Sequence, residues 1–485
     1  MVRSGTLPGM QTRGPETEEF PRAFGVLLPL AGLPGRHGIG DLGPESERWL
    51  DWLASAGVTW WQMLPVGPLG PGNSPYASSS AFAAEPLYIS LELLCDEGLL
   101  GAADIRGPKE LRTGNVRYGR VRRFKEERLD IAFEEWRAAK GDLAAETAEF
   151  RTAEAGWLEP WLDRAAREDG DEAAARALFL QLTFQRQWSG LRAAAAARGV
   201  RLMGDAPIFV GQDSVDVEAH PELFCLGPDG APEVVTGCPP DAMNPDGQHW
   251  GHPHYAWDAH RAEGFRWWRA RMRRQLELFD AVRIDHFIGF RNAWEIPASA
   301  STAAEGEWVR TPGEELLDAI RDELGGLPLI AEDLGSVTDE VLALRDDYGL
   351  PGMRVLQWGF DPGSYHAPWA APENAVVYPA THDNDTCVGW WRGLDPDARR
   401  RFKAATAGEG KTVASTLVRA ACASRARTAI AQLQDLLGLG RATRTNTPGT
   451  PTGNWAWRAR RADLTASRAR RLRELLDATD RIPAS

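Results

Sequence analysis

The chain has 485 residues, 43% hydrophobic and 25% charged, which is the make-up of a soluble globular protein long enough for a decorated barrel. A formal net charge of −13 without any Lys/Arg-rich block excludes nucleic acid and anionic membrane as expected partners. Five scattered cysteines (Cys95, Cys225, Cys238, Cys387, Cys422) form no CxxC pair, so no disulfide framework or cysteine zinc site is expected, and a reducing cytoplasm is the expected compartment.

Residues 1–20, rich in Gly, Pro, Thr and Glu, read as a disordered lead-in without the apolar core of a signal peptide. Phe24 to Leu30 then reads as a buried strand, Pro44 to Ala56 as a helix with Trp49, Leu50, Trp52 and Leu53 at helical spacing, and Val58 to Pro65 as a second strand. Strand, helix, strand in that order predicts parallel pairing. A Gly/Pro/Ser-rich loop region follows and, with its continuation, makes a first insertion over about 67–116. Residues 117–199, rich in Ala, Arg and Glu, read as an inserted helical subdomain. A third strand is expected from Val200 to Met203, leading into Gly204 and Asp205. Residues 211–258 carry Pro, Gly and His with little periodicity, and a segment that long without evident elements is expected to line a site. Further strands are predicted at Ala281–Ile284, Leu327–Ala331, Met353–Gln357, Ala375–Tyr378 and Ala429–Leu433, with helices over Glu314–Leu324, Asp339–Asp346 and Leu464–Asp477. Eight strands alternating with helices predict a (β/α)8 TIM barrel over residues 21–485, with helical and loop insertions at its C-terminal rim.

Three of these runs end abruptly in carboxylates: Val282-Arg283-Ile284-Asp285-His286-Phe287, Ile330-Ala331-Glu332-Asp333 and, after the seventh strand, Thr381-His382-Asp383-Asn384-Asp385. A lone Asp or Glu there is most simply a helix or turn cap. Three at successive strand ends point instead to acids gathered at one mouth of a barrel, and a facing pair is what cleavage of a glycosidic bond requires. Arg283 and Asp285 lie two apart on a strand and share a face, so the guanidinium would hold that carboxylate ionised, as a nucleophile must be. Glu332 follows an apolar run that would raise its pKa towards a general acid. Asp333 and Asp385 point the other way and read as supporting or capping groups. Twenty Trp lean mildly towards carbohydrate, since indoles stack on sugar faces, although core packing is the commoner fate of any one.

From about Phe24 to Arg458 the chain resembles the 4-α-glucanotransferases of the amylomaltase type, glycoside hydrolase family 77. The resemblance rests on Ser74-Pro75-Tyr76, Gly204-Asp205-Ala206-Pro207-Ile208, Asp213-Ser214 with Asp216-Val217, Pro239-Pro240-Asp241 and Gly247-Gln248 with Trp250-Gly251. It continues through the three carboxylate motifs to Asn446, Pro448-Gly449-Thr450 and Gly453-Asn454-Trp455. The resemblance implies Asp285 as nucleophile, Glu332 as general acid/base and Asp383 as the carboxylate stabilising the distorted sugar. It implies that Ser74, Tyr76, Asp205, Gln248, Trp250, Arg283, His286, His382 and Asn454 bind substrate, with Tyr76 a stacking platform and Gln248 and Trp250 on a mobile donor-side loop. The implied reaction is retaining transfer of α-1,4-glucan segments between maltooligosaccharides or other α-glucans, with glucose as acceptor or product. No cofactor is implied, because both steps are displacement plus proton transfer. A retaining hydrolase, a transferase specialised for a modified oligosaccharide and a catalytically idle glucan-binding protein are the rival readings; the intact trio argues against the last.

Departures from the family pattern fall at Ile288, where an Arg is usual, and at Ala84-Glu85, Glu218, Ala367-Pro368-Trp369 and Pro379-Ala380. They lie in loops and subsite walls rather than at the three carboxylates. His249, His252 and His254 have the spacing of metal ligands, but no carboxylate or Cys completes a set, and no metal is expected.

Overall fold

The computed structural model describes residues 20–139, 144–240, 245–406 and 410–482. Nearly all of the expected lead-in lies outside them, as does Asp241 of the Pro239-Pro240-Asp241 motif. Among the described residues the strands are β1 (Ala23–Leu27), β2 (Trp60–Gln62), β3 (Arg201–Pro207), β4 (Val234–Cys238), β5 (Gln248–Pro253) and β6 (Ala281–Asp285). They continue with β7 (Asn292–Pro297), β8 (Glu307–Arg310), β9 (Leu329–Ala331), β10 (Gly352–Val355), β11 (Ala375–Tyr378) and β12 (Thr428–Gln432). Eight of them close a parallel (β/α)8 barrel in the order β1-β12-β11-β10-β9-β6-β3-β2. These are the eight expected strands, each within a few residues of its predicted span; β2 is the most curtailed, pairing only over Trp60–Gln62.

Strand parity sorts the side chains. Ala23, Leu27, Trp60, Met203, Ala281, Ile330, Met353, Val376, Tyr378 and Ile430 cluster in the barrel interior. The alternate residues, such as Phe24, Val26, Leu202, Val282, Ile284, Leu329 and Val377, join the larger core between strands and helices. Gly204 is one of these outward positions: a Cβ there would lie 2.3 Å from the Phe279 ring, so the chain between Met203 and Asp205 can carry no side chain. Helices Pro44–Ser55, Gly313–Leu324, Asp339–Asp347 and Ala466–Asp477 cover the outside close to their predicted spans. Asp339–Asp347 begins where the Thr338 side chain accepts a hydrogen bond from the Val341 amide.

Between β2 and β3, after the short helix Leu91–Asp96, run the longer helices Tyr118–Ala138, Ala144–Ala153, Ala155–Asp169 and Asp171–Ala197. The last is both insertion and barrel wall. Its buried Trp188 donates to the Leu278 carbonyl at 2.8 Å, and the Gln181 and Gln187 amides each bond both the N–H and C=O of Ala84 and Ser90 respectively. Those clamps tie the segment after β2 to the barrel.

The reading of 211–258 as lacking regular elements is corrected. Its strands β4 and β5 join β7 and β8 in a four-stranded antiparallel sheet ordered β5-β4-β7-β8. The strands are short, β5 carries a glycine and ends in proline, and a register shift interrupts the β4–β5 pairing. No clean alternation therefore marks them in the sequence. The small core beneath is Val235, Ile296 and Ala303.

Candidate active site

The parity that sends Met203, Ala281 and Ile330 into the barrel sends Asp205, Arg283, Asp285 and Glu332 the same way at the C-terminal ends of β3, β6 and β9. Arg283 is buried and joins two acids: its Nη1 lies 2.9 Å from Asp285 Oδ1 and 2.8 and 2.9 Å from the two Asp205 oxygens. Burial works against the Arg283 charge, but Asp205 and Asp285 outweigh it and hold the guanidinium well above its usual range. Burial likewise pushes the Asp205 carboxyl up to about 7, against the pull of Arg283.

From Asp205 the contacts run on to the third acid. Tyr76 Oη donates to Asp205 Oδ2 at 2.9 Å and lies 2.8 Å from His382 Nε2, which is 3.3 Å from Asp383 Oδ2. The Tyr76 proton is committed to Asp205, so the ring nitrogen facing it carries the hydrogen of that contact. Burial lowers the His382 pKa and favours this neutral form. Asp285, Arg283, Asp205, Tyr76, His382 and Asp383 thus form one polar chain around half the rim. One face of the Tyr76 ring is stacked on His382 at 5.4 Å and 11°, and Trp455 leans on the ring at 5.7 Å.

Glu332 stands apart from that chain. Its carboxyl is buried, and burial, reinforced by Asp285, holds its pKa well above the ordinary glutamate value. Its Oε2 accepts the His286 amide at 2.7 Å. That bond depends on His286 taking a left-handed backbone (φ 57°, ψ 48°) directly after β6, a conformation costing on the order of 1 kcal/mol in a non-glycine residue. The half-buried His286 ring is held neutral, its pKa lowered to about 4 by burial, and it meets Trp250 edge to face at 4.8 Å. Trp250 also leans on Phe209 at 6.3 Å, and its Nε1 donates to Gln248 Oε1 at 3.2 Å. Both residues project from β5, so part of the expected loop is a paired strand.

Asp383 is the most open of the trio, with 40% of its side chain exposed. Asn446 Nδ2 donates to its Oδ1 at 2.6 Å, and Arg444 Nη2 to its backbone carbonyl at 2.5 Å. Neither residue, nor Phe209 or Trp455, was among the expected site residues. Asn446 opens one matched motif and Trp455 closes another, so both could have been found there; Arg444 and Phe209 carry no local signal. The Ser74 hydroxyl accepts the Tyr76 amide, at 3.3 Å. Asn454 spends its polar atoms on its own loop, accepting from the Thr447 amide at 2.9 Å and donating to the Thr450 carbonyl at 2.9 Å. Asp333 and Asp385 take supporting positions: Asp333 is bound by Arg345, by Arg354 and by the Met353 amide at 2.6 Å, and Asp385 by Arg441 at 2.6 Å.

The histidine trio is split up. His254 is buried against the Val235 carbonyl at 3.2 Å, whereas His249 is exposed. Among the described residues the ligand atoms of His37, Asp41 and Glu92 do converge, but there Lys125 Nζ, 3.0 Å from Asp41, already supplies the positive charge. Two of the family departures have structural employment. Glu85 is buried and accepts the Leu69 and Leu87 amides at 2.8 and 3.1 Å, and Glu218 pairs with Arg167 at 2.8 Å on the surface. Ile288 is packed in the core.

One acid whose pKa burial raises beside another paired with a guanidinium, at the C-terminal mouth of such a barrel, is the division of labour of enzymes that act on glycosidic bonds. The family profile described as 4-alpha-glucanotransferase, glycoside hydrolase family 77, matches residues 28–163 and 162–465. A 4-alpha-glucanotransferase of Thermus thermophilus is 43% identical over 504 aligned positions, covering 96% of this chain and 100% of the relative. One from Synechocystis is 40% identical over 90% of this chain and 94% of its own length. The solved amylomaltase of Streptococcus agalactiae in complex with acarbose superposes with a TM-score of 0.90 at 32% identity, covering 95% of this chain and 99% of that one. The chain belongs to glycoside hydrolase family 77.

Proposed function

We propose that this protein is a retaining 4-α-glucanotransferase that moves α-1,4-glucan segments between maltooligosaccharides. The observation carrying the proposal is the contrast between Asp285, paired with Arg283 at 2.9 Å, and Glu332, buried with a raised pKa on the neighbouring strand. Asp285 attacks the anomeric carbon while Glu332 gives its proton to the departing glycosidic oxygen, so the C1–O bond breaks as the ester to Asp285 forms. The ionised Glu332 then takes the proton from the 4-hydroxyl of a second sugar, whose oxygen bonds to C1 and releases Asp285. Asp383, with Asn446 on one oxygen and His382 near the other, faces the distorted donor sugar and its hydroxyls. Tyr76, Asp205 and Arg283 keep the two outer acids in register. Ser74, Gln248, Trp250, His286 and Asn454 line or shape the surrounding subsites.

Residues 21–485 form in this reading one catalytic unit, with the segments 67–116, 117–199 and 211–258 as insertions that build the walls. The relatives' printed activity and the acarbose bound to the Streptococcus agalactiae enzyme support α-glucan oligosaccharides as donor and acceptor, with glucose as product or acceptor. A reducing cytoplasm suits five cysteines that form no disulfide, and no helix of the described residues is long and apolar enough to cross a membrane.

Incubation with maltotriose tests the assignment. Glucose together with a ladder of longer maltodextrins is expected. Conversion to glucose and maltose without elongated products would instead make the protein a hydrolase of the same mechanism.

A further inference from the structure

The loop between β10 and β11 leaves two large aromatic side chains in water: Trp369 is 64% exposed and Tyr365 48%, the highest values for large hydrophobics among the described residues. Single exposed apolar residues are ordinary, but this pair is held by its surroundings. The Arg354 guanidinium lies 5.1 Å from the Tyr365 ring centre, and the His366 ring packs beside it at 4.0 Å. His366 Nδ1 accepts the Val355 amide at 3.2 Å, and Ser364 Oγ donates to the Trp358 carbonyl at 2.7 Å, which pins the loop to the end of β10. Gly359 makes the closure possible, since a Cβ there would stand 2.5 Å from the His366 carbonyl oxygen. Trp369 rests edge to face on Phe360 at 6.3 Å, and Phe360 is packed at 4.8 Å against Phe402.

The position of the pair is informative. In the barrel β10 stands between β9, which leads into Glu332, and β11, which leads towards Asp383. Arg354, which supports Tyr365, also reaches Asp333 at 3.4 Å, and both Asp333 and Glu332 add to the effect of burial in raising the Tyr365 phenol. Phe360 touches Trp390 at 6.4 Å, in the helix Cys387–Gly393 that follows Asp383. The aromatic pair therefore adjoins Glu332 on the side away from β6, where His286 meets Trp250. An acid/base delivers its proton to the leaving oxygen and later takes one from the acceptor hydroxyl, so the acceptor chain lies on its side of the cleaved bond. Its first sugar meets Glu332, and the sugars behind it leave over the adjoining rim. Pyranose rings present flat C–H faces to which aromatic rings bind.

We propose that Tyr365 and Trp369 form an acceptor-side platform that stacks on the second and third sugars of the incoming α-glucan and so favours acceptors longer than one glucose. The proposal rests on the transferase reading above. It also gives a role to Trp369 within Ala367-Pro368-Trp369, where the chain departs from its family.

An isotope-labelled α-maltotriosyl fluoride is a suitable donor, because its leaving group needs no sugar-binding site beyond the cleaved bond. Initial rates of transfer to glucose and to maltotriose are compared by mass spectrometry for the wild type, Tyr365→Ala, Trp369→Ala and Trp369→Phe. Each Ala variant is expected to raise the KM for maltotriose as acceptor roughly fivefold to tenfold. KM for glucose and kcat should stay unchanged, and Trp369→Phe should recover most of the loss. Equal changes for both acceptors, or no change for either, overturn the platform. A wild type that releases only free maltotriose with both acceptors overturns the transferase reading itself, and the platform with it.

Discussion

At the level of single residues, two acids separate the chemistry from the scaffold that serves it. Asp285 is 30% exposed at a strand end and packs against no core group, and Arg283 retains Asp205 if Asp285 is neutralised. Asp285→Asn is therefore expected to lower turnover of maltotriose by at least about a thousandfold, as loss of a covalent nucleophile does, with the thermal midpoint nearly unchanged. Retention of most of the activity would remove the nucleophile role. Tyr76 tests the polar chain. Its hydroxyl bridges Asp205 and His382, at 2.9 and 2.8 Å, while its ring stacking on His382 does not need it. Tyr76→Phe should keep the stack and the fold and lower kcat roughly tenfold to a hundredfold, in the range of a lost charge-assisted hydrogen bond of about 1.5–3 kcal/mol. KM should move little, because the hydroxyl faces Asp205 and His382. A rise in KM at constant kcat would assign Tyr76 to ground-state sugar binding instead.

Among the elements, the antiparallel sheet over the mouth is the device most open to test, and Trp250 on β5 is its contact with the site. Transfer requires the glycosyl-enzyme to be shielded from water until an acceptor arrives. The indole edge against His286 at 4.8 Å places a large apolar surface beside the residue that follows the nucleophile. Trp250→Ala should shift products from elongated glucans towards free sugars more than it slows total bond cleavage. Equal loss of both would make Trp250 an anchor of the sheet and no more. The sheet also shows where sequence reading stops. The barrel strands were legible because each is an apolar run with its own boundary, and parity from Met203, Ala281 and Ile330 carries directly to Asp205, Arg283, Asp285 and Glu332. β4 and β7 have no such signature: Val234 pairs with Pro297 far along the chain, and Val-Val-Thr-Gly-Cys is a strand through its pairing with β5 on one side and β7 on the other. The contacts of Tyr76 with Asp205 and of Asn446 with Asp383 were illegible for the same reason. Each joins loops that meet only once the barrel is closed.

The molecule as a whole carries a set of buried ionisable groups that do not all serve the rim, and they set its response to pH. Burial lowers His37, His252, His254, His260, His286 and His366 to about 4 from the ordinary 6.5. Between those values the unfolded chain binds protons that the folded chain refuses. Stability from these groups is thus fully present above about pH 6.5 and is lost as pH falls towards 4. Asp205 and Asp435 work in the opposite sense. Burial pushes each up to about 7, so their contribution is present at acid pH and is lost as pH rises through 7. Burial raises Asp216, Glu85, Glu277 and Glu332 in the same sense as Asp205 and Asp435, so the histidine contribution is read from a histidine substitution rather than from the net slope. His260 is the cleanest probe, since it is buried away from the catalytic rim among Tyr255, Trp257 and Trp267. His260→Phe should remove this histidine's share of the acid loss, so that its thermal midpoint relative to wild type, measured at constant ionic strength, is higher at pH 4.5, near the lower end of the window, than at pH 7.5, about a unit above it. A difference independent of pH would mean that His260 is protonated in the folded protein as readily as in the unfolded chain.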